Sequence, residues 1–386
     1  MTLLFTVVAA GCGVLGLAGT AYFALSTWVA VSYRHEVEPE SPSAPTPPVS
    51  ILKSLKGIDP HMCAAFVSHC TVDYPEYEVL FGVSDLQEPA LELVRRVQQE
   101  FPQSRLRVIH CPESLGFNGK VSNLAQMLPR ASYEHVIIND SDIVVPRDYL
   151  RRVMLPFDRA GVGMVTTLYR GVPADTLGSK LEALGISTDF AGGVLLARAM
   201  EGGIRFGLGA TIATTKTVLE KIGGLERLTD YLGDDYELGA RAAAAGFKIA
   251  LAETVLETTL PAYAFRDFWL HQMRWARNVK DRRPGQYFGL IATFGLAWAI
   301  LGVIAAPFAW WPWAILGLTA LARVTVATVV GQGVLKDAHV LPNLWLVPLR
   351  DFIALAIWFA SFWGDTVVWR GTRFRLRDGK LQPAND

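Results

Sequence analysis

The chain carries no excess charge of either sign. Lys and Arg number 36 and Asp and Glu 36 over 386 residues, so the net field selects neither nucleic acid nor any other charged partner. Cysteine is scarce: Cys12, Cys63, Cys70 and Cys111 form no Cys-x-x-Cys pair. Cys12 lies in an apolar segment, and the other three read as small core residues or free thiols. A disulfide framework and a structural zinc site are both poor readings. A complete P-loop is missing too. The glycine-rich stretch from Gly116 ends in Lys120 without the full spacing, which excludes an ATPase of that type.

Apolar residues are abundant, at 51% of the chain with a mean hydropathy of +0.27. The excess sits at the two ends. Leu3 to Val31 is almost uncharged and long enough to span a bilayer as a helix. It is too long for a cleaved signal peptide and has no basic residue before it, so residues 1–34 are expected to be a retained transmembrane anchor. Residues 35–48 are expected to form a Pro-rich extended linker.

Residues 49–264 change character. Short β-rich runs at Val49–Lys53, Tyr77–Val83, Leu106–His110 and Val136–Ile138 alternate with helical stretches, the clearest at Pro89–Phe101. Such alternation implies an α/β domain with a mostly parallel sheet covered on both faces. Residues 265–285 are expected to form an amphipathic interfacial helix: 265, 268, 272, 275 and 279 share one face, with six basic residues on other sides. In residues 286–370 the apolar texture returns, with spans expected at Tyr287–Trp310 and Trp311–Leu335 and a weaker one at Phe352–Trp369, which contains Asp365. Residues 371–386 form a basic tail. Three full spans would put that tail opposite a cytosolic domain, against the positive-inside rule, so one of the three is a candidate for a re-entrant or interfacial segment. Arg323, inside a late span, is expected to face neighbouring helices or headgroups.

The run Val136-Ile137-Ile138 ends in Asn139 and the Asp140-Ser141-Asp142 triplet. A buried strand ending this way delivers two carboxylates to the sheet's C-terminal edge, where open α/β sheets bind ligands. Two hard oxygen donors suit Mg²⁺ or Mn²⁺ with positions left for a diphosphate. Asp85, after a second strand, can accept hydrogen bonds from a uracil or ribose, or can cap a helix over residues 86–101. Lys120 is a candidate diphosphate contact. Asp234 and Asp235 open an Ala-rich helix, where acids serve as caps or as a fixed general base. Arg274 can neutralise a leaving diphosphate.

The series Asp85, Asp140-Ser141-Asp142, Asp234-Asp235 and His271-Gln272-Met273-Arg274-Trp275 resembles that of inverting family-2-type glycosyltransferases with a GT-A fold. More narrowly, the chain resembles ceramide glucosyltransferases and the bacterial hopanoid-biosynthesis glycosyltransferases related to them. That likeness rests on residues 49–60, 73–79, 118–124 and 369–377 together with Asp235-Tyr236. His271 departs from the Gln or Arg usual at its position, and Asp142 retains a carboxylate that ceramide glucosyltransferases can lack.

The resemblance implies a GT-A-like domain between an N-terminal transmembrane helix and C-terminal transmembrane or interfacial helices. It implies sugar transfer, as N-acetylglucosamine or glucose, from a UDP-sugar to a membrane lipid hydroxyl. The preferred acceptor is a hopanoid polyol, with ceramide as the alternative. By the same resemblance Asp142, with Asp140, binds a divalent Mg or Mn ion, and Asp85 and Lys120 contact the nucleotide and phosphates. Asp235 deprotonates the acceptor, while Arg274 and Trp275 help close the site. The expected partners are the UDP-sugar, the lipid acceptor and the bilayer, with no nucleic acid. The expected location is a bacterial inner membrane, multi-pass, with the catalytic domain cytoplasmic. A processive polysaccharide synthase is disfavoured by the small number of C-terminal spans. A non-catalytic transporter or scaffold is disfavoured by intact Asp142 and Asp235.

Overall fold

A computed structural model describes residues 3–35, 45–369 and 371–384. Residues 36–44 of the expected linker and Arg370, the last residue of the expected transmembrane region 286–370, lie outside the described residues.

Eight strands form one sheet: β1 (Val49–Ser54), β2 (Tyr77–Val83), β3 (Leu106–His110), β4 (His135–Ile138), β5 (Ile143–Val144), β6 (Val162–Val172), β7 (Ile212–Thr215) and β8 (Lys248–Thr259). Their order is β3-β2-β1-β4-β7-β6-β8-β5. The pairings β1/β2, β2/β3, β1/β4 and β6/β8 are parallel. The pairings β4/β7, β6/β7 and β5/β8 are antiparallel. The sheet is thus mostly parallel, and β7, antiparallel to both neighbours, links its two parallel parts. All but the last residue of β1 is buried, as a strand covered on both faces requires. Register from Val49↔His135 to Leu52↔Ile138 aligns β1 with β4, so Ser54 and Asp140 emerge at the same edge.

The two faces carry separate cores. One contains Ile51, Phe66, Val79, Phe81 and Val94. The helix Ala90–Glu100 buries Ala90, Leu91, Val94 and Val97 there, the 3.6-residue stripe of an amphipathic helix. The other core joins Leu52, Leu80 and Val136 to Phe23, Val29 and Tyr33 of the N-terminal helix and to Val326 and Val330. The sheet therefore rests directly on the apolar helices.

Among the described residues three helices are long and apolar enough to cross a membrane: Leu3–Arg34, Trp310–Val334 and Leu341–Ser361. A fourth crossing exists if the pair Pro284–Thr293 and Gly295–Ala305, bent by 53°, counts as one span. Gly19 and Gly295 bring two helix backbones together so closely that a Cβ on either would strike the other's backbone. Small residues permit this approach where helices associate in lipid.

The structure corrects several expectations. The span expected at 287–310 is broken by the 53° bend. The one expected at 352–369 ends as a helix at Ser361, and β9 (Thr366–Trp369) follows. Gly364, at φ +93°, turns the chain there. The basic tail folds: β10 (Thr372–Arg377) and β11 (Lys380–Pro383) join β9 in an antiparallel sheet. That sheet docks on the α/β domain, where Leu232 N donates to Gly379 O and Leu381 N to Asp230 O.

The helix Phe265–Arg282 forms as expected but buries Phe268 and Met273, while Phe265, Trp275 and Val279 stay exposed. Three of its basic residues are committed to protein acceptors. Arg277 reaches the carbonyls of Trp363 and Thr366, Lys280 that of Ser361, and Arg282 the Glu237 carboxylate.

Arg323 is fully buried. Its Nε donates to Asp351 at 3.0 Å and its Nη2 to Asp189 at 2.6 Å.

Candidate active site

A cavity of about 340 Å³ opens at the C-terminal edge of β1 and β4. Behind Asp140 lies a buried polar cluster. Lys53 Nζ donates to Asn139 Oδ1 at 2.5 Å and to Asp140 O at 2.8 Å. Asn139 Nδ2 donates to Ala210 O at 2.6 Å and Thr211 Oγ1 at 3.0 Å. These bonds hold the backbone of Asp140 between β1 and β7. Burial lowers the Lys53 ammonium to about 7, with Asp142 and Asp140 acting against it.

The Asp140 and Asp142 carboxylates both line the cavity. Lys120 Nζ stands 2.7 Å from Asp140 Oδ1 and 3.2 Å from Asp234 Oδ2. It is positioned by the helix Gly119–Met127, whose N-cap Asn118 accepts from Val121 N. Burial opposes its charge, but the carboxylates of Asp140 and Asp234 outweigh that and raise its pKa.

Asp142 is raised to about 6 by burial and by Asp140, against a 2.5 Å hydrogen bond from Thr258 Oγ1. The pairing of β5 with β8 sets Asp142 beside Thr258.

Asp235 sits in the first turn of the helix Asp234–Ala244. Burial and Asp234 raise it to about 7, and Lys120 acts in the opposite direction. Gly209 separates the two acidic groups: a Cβ there would lie 3.2 Å from Asp235 Oδ2 and 3.3 Å from Asp140 Oδ2.

Among the described residues no three His, Cys, Asp or Glu side chains cluster to hold a metal. The donor set is the pair Asp140 and Asp142. Two hard oxygens suit Mg²⁺ or Mn²⁺ when substrate phosphates and water complete the coordination.

Residues 12–382 match the model of glycosyl transferase family 21. The chain belongs to that family. It is similar to ceramide glucosyltransferase 1 of Caenorhabditis elegans, 23% identical over 362 residues, covering 89% of this chain and 74% of that protein. It is 31% identical to the ceramide glucosyltransferase of Komagataella phaffii over 124 residues, 30% of this chain and 24% of that protein. Among solved structures it is similar to the mannosyltransferase PcManGT from Pyrobaculum calidifontis in complex with GDP-Man and Mn²⁺. That match has a TM-score of 0.49 and 19% identity, covering 90% of this chain and 99% of that one.

In this family 21 chain, six residues expected from the sequence meet in the cavity: Lys120, Asp140, Asp142, Asp235, Arg274 and Trp275. Asp85 does not line it. Its Oδ1 accepts from Gln87 N at 2.8 Å in an exposed turn, and the helix expected from residue 86 begins at Ala90.

The cavity wall also holds Asp59, Glu182, Tyr263, Asn278 and Trp369, none of which was given a role from the sequence, although Asp59 and Trp369 lie in stretches that carry the family likeness. Asp59 accepts from Ser141 Oγ at 2.9 Å, and its neighbour Gly57 was the available turn signal. Glu182 lies in a helix that also carries Ser179 and Lys180, and had no local signal.

Proposed function

We propose that the protein is an inverting membrane glycosyltransferase that moves a sugar from a nucleoside diphosphate, with UDP the first candidate, to a lipid hydroxyl. The observation carrying this reading is the meeting of Lys120, Asp140, Asp142, Asp235 and Arg274 in one cavity, in a domain that shares a core with apolar helices.

Asp235 would take the proton of the acceptor hydroxyl as that oxygen attacks the anomeric carbon. The bond from that carbon to the diphosphate oxygen breaks, and attack from the opposite face inverts the configuration. A buried carboxylate near pKa 7 is suited to this task. Lys120 and Arg274 would hold the departing diphosphate electrostatically. A divalent ion on Asp140 and Asp142 would supply further charge neutralisation there. Asp85, just past the C-terminal end of β2, would contact the nucleotide.

The similarity to ceramide glucosyltransferases supports a sphingolipid alcohol and glucose over a hopanoid polyol and N-acetylglucosamine. The docking of β11 on Asp230 and Leu232 supports an even number of crossings between residues 283 and 366. The bent pair and Trp310–Val334 would form a hairpin, and Leu341–Ser361, packed on the Phe265–Arg282 helix, would be re-entrant. Arg373, Arg375, Arg377 and Lys380 would then lie on the side of the catalytic domain, which the positive-inside rule makes cytoplasmic.

The test is a product assay on detergent-solubilised protein, with UDP-glucose or UDP-N-acetylglucosamine against a ceramide or a hopanoid polyol. A hexose gain on ceramide, lost in Asp235→Asn, is the expected result. A hexosamine gain on the hopanoid would change the acceptor and keep the mechanism. No glycolipid from any pairing would overturn the reading.

A further inference from the structure

One wall of the cavity is not used by the chemistry above. Glu182 projects from the helix Leu177–Gly185 and is 4% exposed. Its Oε1 lies 2.9 Å from His271 Nδ1. Its Oε2 is buried without a hydrogen-bond partner among the described residues.

The imidazole is fixed from its other sides, while its Nδ1, close to Glu182 Oε1, has no aligned hydrogen-bond partner among the described residues. Trp275 Nε1 donates to His271 Nε2 at 3.2 Å, and an indole can only donate. Nε2 is therefore the acceptor, and the proton of the neutral ring is on Nδ1, facing Glu182. Tyr263 stacks on the imidazole with centroids 5.7 Å apart. A buried carboxylate oxygen without a donor is costly, and at a cavity wall it is what a ligand's hydrogen-bond donor would satisfy.

The wall's position indicates which ligand. Leu177–Gly185 packs on the helices Phe265–Arg282 and Val347–Ser361. It runs on into the turn Ile186–Phe190, where Thr188 and Asp189 bind Arg323 of an apolar helix. Ile186, Leu260 and Pro261 give this end of the cavity an apolar lining. It is the lipid side, and Asp140 and Asp142 stand at the sheet edge.

We propose that Glu182, beside His271, recognises the acceptor: its Oε2 accepts a hydrogen bond from a neutral N–H or O–H group beside the hydroxyl that is glycosylated. The proposal rests on the lipid-acceptor reading. The donor group is an amide N–H in a sphingolipid alcohol or a neighbouring hydroxyl in a polyol lipid, and Glu182 sets the preference for lipids that carry it.

The test uses the full chain in detergent with UDP-glucose and two acceptor pairs. One pair is a ceramide and its N-methyl analogue; the other is a polyol lipid and the analogue lacking the neighbouring hydroxyl. Wild type is expected to favour the parent of one pair by about 10- to 100-fold in kcat/KM, and which pair responds identifies the donor group. Glu182→Met should bring that preference near unity by raising the acceptor KM, with the KM for UDP-glucose unchanged. UDP-induced thermal stabilisation shows that the variant is folded. If it is not, Glu182→Gln is read instead, and a several-fold loss of preference is expected.

Absence of any preference in wild type overturns the proposal. So does a preference undiminished in the variant, or a change confined to the donor KM. A wild-type protein that binds UDP but glycosylates no lipid with either UDP-glucose or UDP-N-acetylglucosamine overturns the functional reading itself, a result distinct from the others.

Discussion

Lys120 Nζ lies 2.7 Å from Asp140 Oδ1, so a cation from the helix Gly119–Met127 meets a carboxylate just past the end of β4. Lys120→Met should lower kcat/KM for the donor by about 10²-fold, and Lys120→Arg should restore part of it. Steady-state kinetics check this. Unchanged donor kinetics would limit Lys120 to a structural ion pair.

Asp235→Asn should lower kcat by about 10²- to 10⁴-fold while leaving UDP binding intact. The pH profile carries a sign. Burial and Asp234 raise the Asp235 carboxyl to about 7, and only the deprotonated form can accept a proton. Activity should therefore rise with pH through about 7. Asp142, raised to about 6, becomes protonated lower on the same limb. A kcat that falls across that window would contradict the assignment of Asp235 as base.

Gly209→Ala would place a methyl group 3.2 Å from Asp235 Oδ2 and 3.3 Å from Asp140 Oδ2. No positive φ is involved, so the fold should tolerate it. The expected result is a kcat/KM loss of about 10-fold or more, since small misplacements of reacting groups are costly, with little change in melting temperature. Equal loss of stability and activity would point to backbone disruption.

The membrane arrangement predicts that cysteines placed at Leu86 and Arg373 react with an impermeant thiol reagent from the same side of a sealed vesicle. The native cysteines, free in the structure, would first be replaced. Labelling from opposite sides would require an odd number of crossings after the catalytic domain.

Arg323→Met should destabilise the protein by about 3–5 kcal/mol, because Asp351 and Asp189 would lose their common buried cation. Thermal unfolding in detergent measures this. A melting temperature within error of wild type would show that water or other groups replace the guanidinium.

The four strands expected from β-branched runs all form; β1, β2 and β4 are largely buried and show themselves as local apolar runs, whereas β3, at the sheet's edge, exposes Arg107, Val108 and His110. The part of the sheet that contains β6, β7 and β8 was not legible in this way. β8 alternates buried and half-buried residues over its length, and its pairing depends on β6, far away in sequence. The third late span was misjudged because hydropathy continues past Ser361 into β9, and only the turn at Gly364 marks the change. At the site, the acidic residues stood out because strand ends and helix starts are local signals. Glu182 and Trp369 did not: each reaches the cavity through packing between elements distant in sequence.

The docked sheet of β9, β10 and β11 bears on the order of biosynthesis. Trp369 completes the cavity wall, and Gly379 and Lys380 steady the loop that leads into Asp234 and Asp235. A ribosome makes these strands only after the apolar helices before them. The cavity wall at Trp369 is thus completed only after the apolar helices have been made.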